Sequence, residues 1–320
     1  MGLIENPKTY TGRDLETIFF RPMFTGANAE QLGIRVLYNM PMPTTLQLWS
    51  PQSDVLQSFS SGWTGGESAE RKQKHIDMHK VKAEVGFSAA DYFQQVYELI
   101  TARADVNYED LTGTELEQAE TEMFRAAIAE SLRVMMWIGD TTASHHNKFD
   151  GFLTLACKYR DLGATSKADF STLTPSVENI TDIFNDMWAK ASPALKALKA
   201  EGNLAYFVTS DLYELYELYL DKMGCDNAYT DIVSGRRELS YHGIKIVDMG
   251  VSQYLSSSTA TYCVLTDRRN LVMAVNTADY PGSEVRMWYN PDEMENRQRA
   301  VFLVGCDILD EAMVVCAKFK

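Results

Sequence analysis

The clearest pattern of hydrophobic and polar positions in the chain lies in residues 114–139. No Pro or Gly interrupts this stretch before Gly139, and Thr114 with Glu117 forms a capping box that marks a helix start. In the first half, apolar residues at helical spacing predict one buried face. They are Leu116, Ala119, Met123 and Ala127. The pattern predicts one long helix that ends at Gly139.

The second half of this predicted helix is apolar on every side. From Leu132 onward Arg133 is the only charge, among Leu132, Val134, Met135, Met136, Trp137 and Ile138. A helix that is apolar all round is typical of a buried segment. We therefore expect this end, including Met135, to lie in the core, and the first half to be half exposed.

Alternating apolar and polar positions predict a long hairpin over residues 45–87. Residues 45–49 alternate as a half-buried strand does, and a Gly- and Ser-rich tip follows. The return strand alternates again, with a change of phase near His79 that predicts a bulge or bend. It also carries a run of basic residues, Arg71, Lys72, Lys74, Lys80 and Lys82. One interpretation is an edge strand that lysines protect from pairing.

The remaining chain mixes helices and strands. Ser88 begins a predicted short helix, and residues 174–224 predict a helix–strand–helix unit with Pro175 in its first turn. The strand of this unit is predicted at the apolar run 204–208 and should be buried. Residues 28–38 fit either a short helix or a strand. Later strands are predicted at 244–247, 262–265, 271–275, 285–289, 301–304 and 312–316. Strands that concentrate late in the chain favour an α+β architecture.

Composition and charge narrow the function. The net charge of −14 over 320 residues argues against a protein that binds the phosphate backbone of nucleic acids. The chain has no apolar run long enough to span a membrane and no secretory signal, so we expect synthesis in a cytoplasm. Its five cysteines are scattered without a CxxC pair, which indicates neither a zinc site nor a disulfide framework.

Candidate chemistry is confined to the polar loop after the long helix. Asp140, His145, His146 and Asp150 cluster there, but adjacent histidines on an extended loop point in different directions. No nucleophile elbow, phosphate-binding loop or dinucleotide fingerprint occurs. We predict no catalytic residue, metal or cofactor. A metal-dependent enzyme that uses Asp140, His145 and His146 is the alternative from a different class.

Four stretches, taken in order, carry a resemblance to a known family. They are MMWIGDTTASHHNKFDGFL, LAYFVTSDLYELYELYL, SYHGIKIVDMG and TYCVLTDRRNLVMAVN. Together with the hairpin and the long helix before them, they make the chain resemble the major capsid protein of tailed bacteriophages. In that family the parts are called the N-arm, the E-loop hairpin, the P-domain with its long spine helix, and the A-domain.

The resemblance implies a division of the chain into five segments. Residues 1–44 would be the N-arm, 45–87 the E-loop, 88–150 the P-domain with the spine helix, and 151–282 the A-domain. Residues 283–320 would be strands that return to the P-domain. Nothing resembles the helical scaffolding segment of some relatives, and no residue can be assigned to a covalent cross-link.

The same resemblance implies a structural protein of the virion, not an enzyme. Copies of the chain would assemble into hexamers and pentamers of an icosahedral head that encloses double-stranded DNA without sequence-specific binding. Scaffold, portal and decoration proteins are the further partners implied. Encapsulins, which are cellular protein compartments, share the fold. An encapsulin-type shell around a cargo enzyme is therefore a second alternative.

Two charged stretches give a specific expectation. In the family, the hairpin of one subunit lies over the neighbour's P-domain near the spine helix. We therefore expect basic residues of the return strand to meet acidic residues of a neighbouring spine. The basic set is Arg71, Lys72, Lys74 and Lys80, and the acidic set is Glu115, Glu117, Glu120 and Glu122. The alternative is that both sets are solvated, the acids serving the helix dipole.

Overall fold

The computed structural model describes most of the chain. The described residues are 29, 32–40, 44–49, 58–59, 61–62, 71–88, 115–162, 166–170, 173–224, 238–255, 261–276, 286–293 and 295–319. Most of the predicted N-arm, most of the hairpin tip and the helix predicted after Ser88 lie outside them. So do the side chains of residues 115–123, although their backbone is described.

The described elements are as follows. The helices are α1 (Glu115–Ile138), α2 (Phe152–Asp161), α3 (Ile180–Lys190), α4 (Pro193–Ala197) and α5 (Ser210–Lys222). The first eight strands are β1 (Arg35–Tyr38), β2 (Thr44–Trp49), β3 (Arg71–Ile76), β4 (His79–Ser88), β5 (Ser166–Phe170), β6 (Leu204–Val208), β7 (Ser240–Tyr241) and β8 (Ile244–Asp248). The later strands are β9 (Tyr262–Asp267), β10 (Leu271–Asn276), β11 (Arg286–Asn290), β12 (Glu295–Ile308) and β13 (Val314–Phe319).

Helix α1 confirms the long predicted helix, but at Ala127 its buried face differs from the prediction. Ala127 is exposed, and the buried positions four residues apart are Phe124, Ile128, Leu132 and Met136. Large side chains at this spacing exclude more water than a stripe that contains two alanines, so they decide which face turns inward. The apolar end is buried as expected, except that Met135 and Ile138 are half-buried and pack against the core from its edge.

A six-stranded sheet lies at the centre of the fold, in the order β5-β13-β9-β6-β8-β7. One face packs against α3 and α5, where Phe184 and Leu212 are fully buried. The other face packs against α1 and α2, where Trp137 contacts Phe207 of β6 with ring centroids 5.1 Å apart. Because both faces are covered, all five residues of β6 are buried and apolar, as in strands with two buried faces.

A five-stranded sheet stands beside it, in the order β1-β10-β12-β11, with β4 also paired to the long strand β12. Strand β1 settles the ambiguity of residues 28–38, because Arg35–Tyr38 pair in parallel with β10. The hairpin's return strand also changes partner, since β3 pairs with β2 whereas β4 pairs with β12. The predicted change of phase near His79 corresponds to this switch at Asp77 and Met78.

Two sequence predictions need correction. Pro175 does not begin a helix, because α3 starts at Ile180, whereas Pro193 occupies the first turn of α4. Strand β13 was expected to return to the P-domain with residues 283–320. It pairs instead with β5 and β9, which belong to the segment 151–282. Conversely, β10 of that segment pairs with β12. Each sheet therefore contains strands from both sides of the predicted boundary at 282.

Candidate functional site

Strands β2 and β3 form a two-stranded hairpin, here called the ribbon, that is separate from the two larger sheets. Its strands pair from Thr44 opposite Ile76 to Trp49 opposite Arg71. Within the described residues, no third strand joins this two-stranded sheet. Thr45, Gln47, Gln73 and His75 are exposed. An isolated two-stranded ribbon is marginally stable in water, so its base has to be anchored to the body of the protein.

The apolar part of that anchor lies where β3 ends. Ile76 is fully buried and Met78 is buried beside it, in a cluster with Val272, Ala274 and Leu303 of the five-stranded sheet. The backbone passes so close to β12 that a Cβ on Gly305 would collide with the carbonyl oxygen of Asp77. A glycine is therefore required at position 305 for the ribbon to leave the sheet at this angle.

The polar part is a group of four side chains, here called the anchor cluster: Lys74, Tyr159, Asp307 and Glu311. The ammonium of Lys74 donates to Tyr159 Oη at 2.9 Å and to Glu311 Oε1 at 3.2 Å. It also lies 3.5 Å from Asp307 Oδ1, which accepts a hydrogen bond from Tyr159 Oη at 3.1 Å. The cluster connects the ribbon to α2, to the end of β12 and to the turn before β13.

Electrostatics favours the charged form of Lys74 in this position. Burial opposes the charge, but the hydrogen bond with Tyr159 and the attraction of Asp307 outweigh it and raise the pKa of Lys74. Burial also raises the pKa of Asp307, although Lys74 and the backbone N–H of Ile308 favour its carboxylate. A buried carboxylate of this kind depends on its cation, so loss of Lys74 would leave Asp307 uncompensated.

The long helix is held at its buried end by a second polar group that the sequence did not reveal. Arg133 forms an ion pair with Glu130 at 2.7 Å and donates to the carbonyl oxygens of Met249 and Gly250 at 3.1 Å. The Tyr254 hydroxyl donates to Glu130 at 2.8 Å. Arg133, together with Glu130, thus fixes the loop after β8 against the helix.

The polar loop after α1 uses its acidic side chains to hold its own turns. Asp140 accepts from the backbone N–H of Thr142 at 2.8 Å, and Asp150 accepts from that of Thr141 at 2.9 Å. His146 has a left-handed backbone, φ 52°, and its ring packs edge-on against Tyr254. Across the described ranges, no three His, Cys, Asp or Glu side chains are arranged to hold a metal ion. The alternative of a metal enzyme thus has no geometric support from this loop.

The residues expected at an inter-subunit contact fall into three groups. Lys74 departs from the expectation, because its ammonium binds carboxylates of its own chain. Lys80 is exposed on β4 opposite Leu303. Arg71 and Lys72 lie at the far end of β3, and Glu115, Glu117, Glu120 and Glu122 lie in the first turns of α1. The side chains of these last six residues lie outside the described part.

No described helix is both long enough and apolar enough to cross a membrane.

Sequence comparisons find no relative, because no protein-family profile matches the chain and no curated protein matches it. Solved structures do match. A chain of the satellite phage P4 procapsid, from a structure that includes the size determination protein, aligns over 94% of this chain and 98% of its own, with a TM-score of 0.57 and 10% identity. A chain of Gordonia phage Cozz aligns over 91% and 86%, with a TM-score of 0.56 and 12% identity.

A chain from the capsid of a native GTA particle aligns over 92% of this chain and 97% of its own, with a TM-score of 0.56 and 13% identity. At such low identity these alignments establish the fold alone. They confirm the α+β capsid fold that the order of the sequence elements implied.

Proposed function

We propose that the chain is a major capsid protein that assembles into the hexamers and pentamers of an icosahedral phage head around double-stranded DNA. The observation that carries the proposal is the extent of the structural alignment. It covers 94% of this chain and 98% of a chain in the phage P4 procapsid.

The geometry of the ribbon supports an assembly role. Phe59, beyond the end of β2, has 99% of its surface exposed, the highest value among the large apolar side chains described. Aromatic side chains are enriched in protein–protein contacts, so the exposed ring of Phe59 suits a contact with another protein. In a shell of identical copies, the partner of the ribbon is a neighbouring subunit.

An element that is anchored at one end also suits a shell in which identical subunits contact one another at slightly different angles. The ribbon is joined to the body through Ile76, Met78 and the anchor cluster, and β4 then continues into the five-stranded sheet. The unsupported length of the ribbon can follow the different angles between neighbours in hexamers and pentamers. Its origin stays fixed by the body of each subunit.

For the contact between neighbours, we retain three of the four predicted basic residues. Arg71, Lys72 and Lys80 of one subunit would face the acidic first turns of α1 in the next. Lys74 is excluded because it belongs to the anchor cluster. Exposed ion pairs are weak and screened by salt. These charges would therefore align neighbouring subunits as they associate and would add little to the stability of the shell.

The remaining parts of the proposal follow from the same assignment. Synthesis in a host cytoplasm would be followed by incorporation into the virion, with scaffold, portal and decoration proteins as partners. A net charge of −14 keeps contact with packaged DNA weak and independent of sequence. The chain would contribute no catalysis.

The test is to purify the full chain over a range of salt and protein concentration and to follow its size by light scattering and negative-stain microscopy. We expect closed particles of uniform diameter, and double-stranded DNA inside particles isolated from an infected host. A chain that stays monomeric under every condition would contradict the proposal. Particles that enclose a folded enzyme instead of DNA would support the encapsulin alternative.

A further inference from the structure

Two cysteines from distant parts of the chain meet beside the central sheet. Cys157 lies on α2 and Cys316 on β13, and their Sγ atoms are 3.5 Å apart although 159 positions separate them. Cys316 is fully buried, whereas Cys157 is half-buried. A disulfide requires the sulfurs to approach to about 2 Å, so a small rotation of the two side chains would bring them into bonding range.

The surroundings favour reaction at this pair over the other described cysteines. The hydrogen bond with Cys157 and burial raise the pKa of the Cys316 thiol, so Cys316 stays protonated beside Cys157. Burial opposes the charge of Arg160, but Asp161 and both thiols raise the pKa of its guanidinium. Arg160 favours the thiolate of Cys316, the form that reacts with oxidants, although the contact with Cys157 and burial outweigh this attraction.

The other described cysteines have no such partner geometry. Cys263 lies on β9 and belongs to the core on the opposite face of the six-stranded sheet, so its thiol points away from Cys316. Burial raises the pKa of Cys263 and Cys306 well above the ordinary value of a thiol, as it does for Cys316. Among the described contacts, it is Cys316 whose sulfur meets the half-buried Cys157. Within the described part of the chain, Cys157 is the thiol closest to solvent.

We propose that Cys157 and Cys316 form a redox-modifiable pair that a low-molecular-weight disulfide converts into a disulfide bond between α2 and β13. In the first step the Cys157 thiolate attacks one sulfur of the reagent, which forms a mixed disulfide and releases one reagent thiol. Cys316 then loses its proton and attacks the Sγ of Cys157, which releases the second thiol. Two protein thiols are oxidised, and one reagent disulfide is reduced to two thiols.

The bond would join two elements that hold the same core. Helix α2 packs between α1 and the sheet, and β13 lies inside that sheet between β5 and β9. A cross-link that closes a loop this long restricts the unfolded chain strongly, and the folded state gains stability. If the proposed function holds, the pair would remain reduced in the host cytoplasm and oxidise after release into an oxidising medium.

The experiment treats the full reduced chain with glutathione disulfide, alkylates the remaining thiols, and maps proteolytic peptides without reduction. We expect one linked peptide that contains Cys157 and Cys316, the loss of two of the five titratable thiols, and a higher Tm that dithiothreitol reverses. Because the wild-type chain gives the peptide map, the result does not depend on a variant that folds. It is also independent of assembly, so failure of the proposed function would not affect it.

Variants sharpen the test. Cys157→Ser and Cys316→Ala should each abolish the linked peptide and the rise in Tm, whereas Cys263→Ala, a buried control on the other face of the sheet, should retain both. A glutathione adduct that persists on Cys157, a linked peptide that contains another cysteine, or five thiols that remain titratable would overturn the proposal. An oxidised chain with an unchanged Tm would overturn the stabilising role of the bond.

Discussion

The six-stranded sheet and the ribbon are both built from paired strands, but they bury their side chains to opposite extents. Strand β6 is buried along its whole length between two helical layers. Among its described residues, the ribbon has exposed side chains on both strands and contacts the body near Ile76, Met78 and Lys74. The sheet is thus stabilised by its own chain. The ribbon keeps its direction through one anchored end.

The largest effect should come from the core of the sheet. Phe207→Ala removes an aromatic ring that is fully buried against Trp137, which costs about 3–5 kcal/mol of unfolding free energy. Urea unfolding of the unassembled chain, followed by circular dichroism, measures this loss. Phe59→Ala, in the exposed tip, is the matched control and should change stability by less than about 0.5 kcal/mol. Equal losses in the two variants would remove the contrast between the regions.

A smaller effect should come from the anchor cluster. Lys74→Met leaves the buried carboxylate of Asp307 without its cation, at a cost of about 2–3 kcal/mol because the cluster is only partly shielded from water. Adding Asp307→Asn removes the unpaired carboxylate and should recover at least half of the lost unfolding free energy. Lys80→Met, on an exposed position of β4, serves as the control. If the single and double variants were equally unstable, the ion pair would not be the anchor.

Charge reversal at the far end of the ribbon should affect assembly and not folding. Arg71→Glu with Lys72→Glu should leave the unfolding free energy within about 1 kcal/mol of wild type, since exposed pairs contribute little. Light scattering should nevertheless show fewer particles. Glu117→Lys with Glu120→Lys in the same chain should restore part of the yield. Normal assembly of the first variant across a range of salt would exclude the proposed contact.

The smallest effect concerns pH. The pKa of Lys74 is raised in the folded chain above its ordinary value of 10.5, so its contribution is complete below that pH and is lost as the pH rises further. We therefore expect the stability of wild type to fall more steeply above about pH 10.5 than that of Lys74→Met. Unfolding curves from neutral to alkaline pH measure the difference. Parallel decline of the two proteins would show that Lys74 carries no charge-dependent stability.

Local sequence patterns predicted the elements whose side chains repeat at a fixed period. The uninterrupted run before Gly139 predicted α1, and the apolar run 204–208 predicted β6, because each pattern reports one continuous environment. The buried face of α1 was wrong at Ala127, since spacing alone does not weigh a large side chain above a small one.

Contacts between distant residues left weaker signals. Asp307 is a lone acid in the apolar strand VFLVGCDIL, which signals a buried partner, but nothing near it in the sequence identifies Lys74, 233 positions earlier. The place of β13 was missed for the same reason. Its alternation predicts a strand but does not say which of two sheets it joins. The sheet that a strand joins is decided by three-dimensional packing, which a single sequence does not report.

The most direct test of the central claim is a cryo-electron microscopy reconstruction of particles assembled from the full chain, at a resolution that traces the ribbon. The account predicts closed icosahedral shells in which the ribbon of each subunit lies over the acidic end of α1 in its neighbour. Lys74 should remain bound to Asp307 of its own chain. A ribbon folded back on its own subunit, or a chain that forms no shell, would contradict the account.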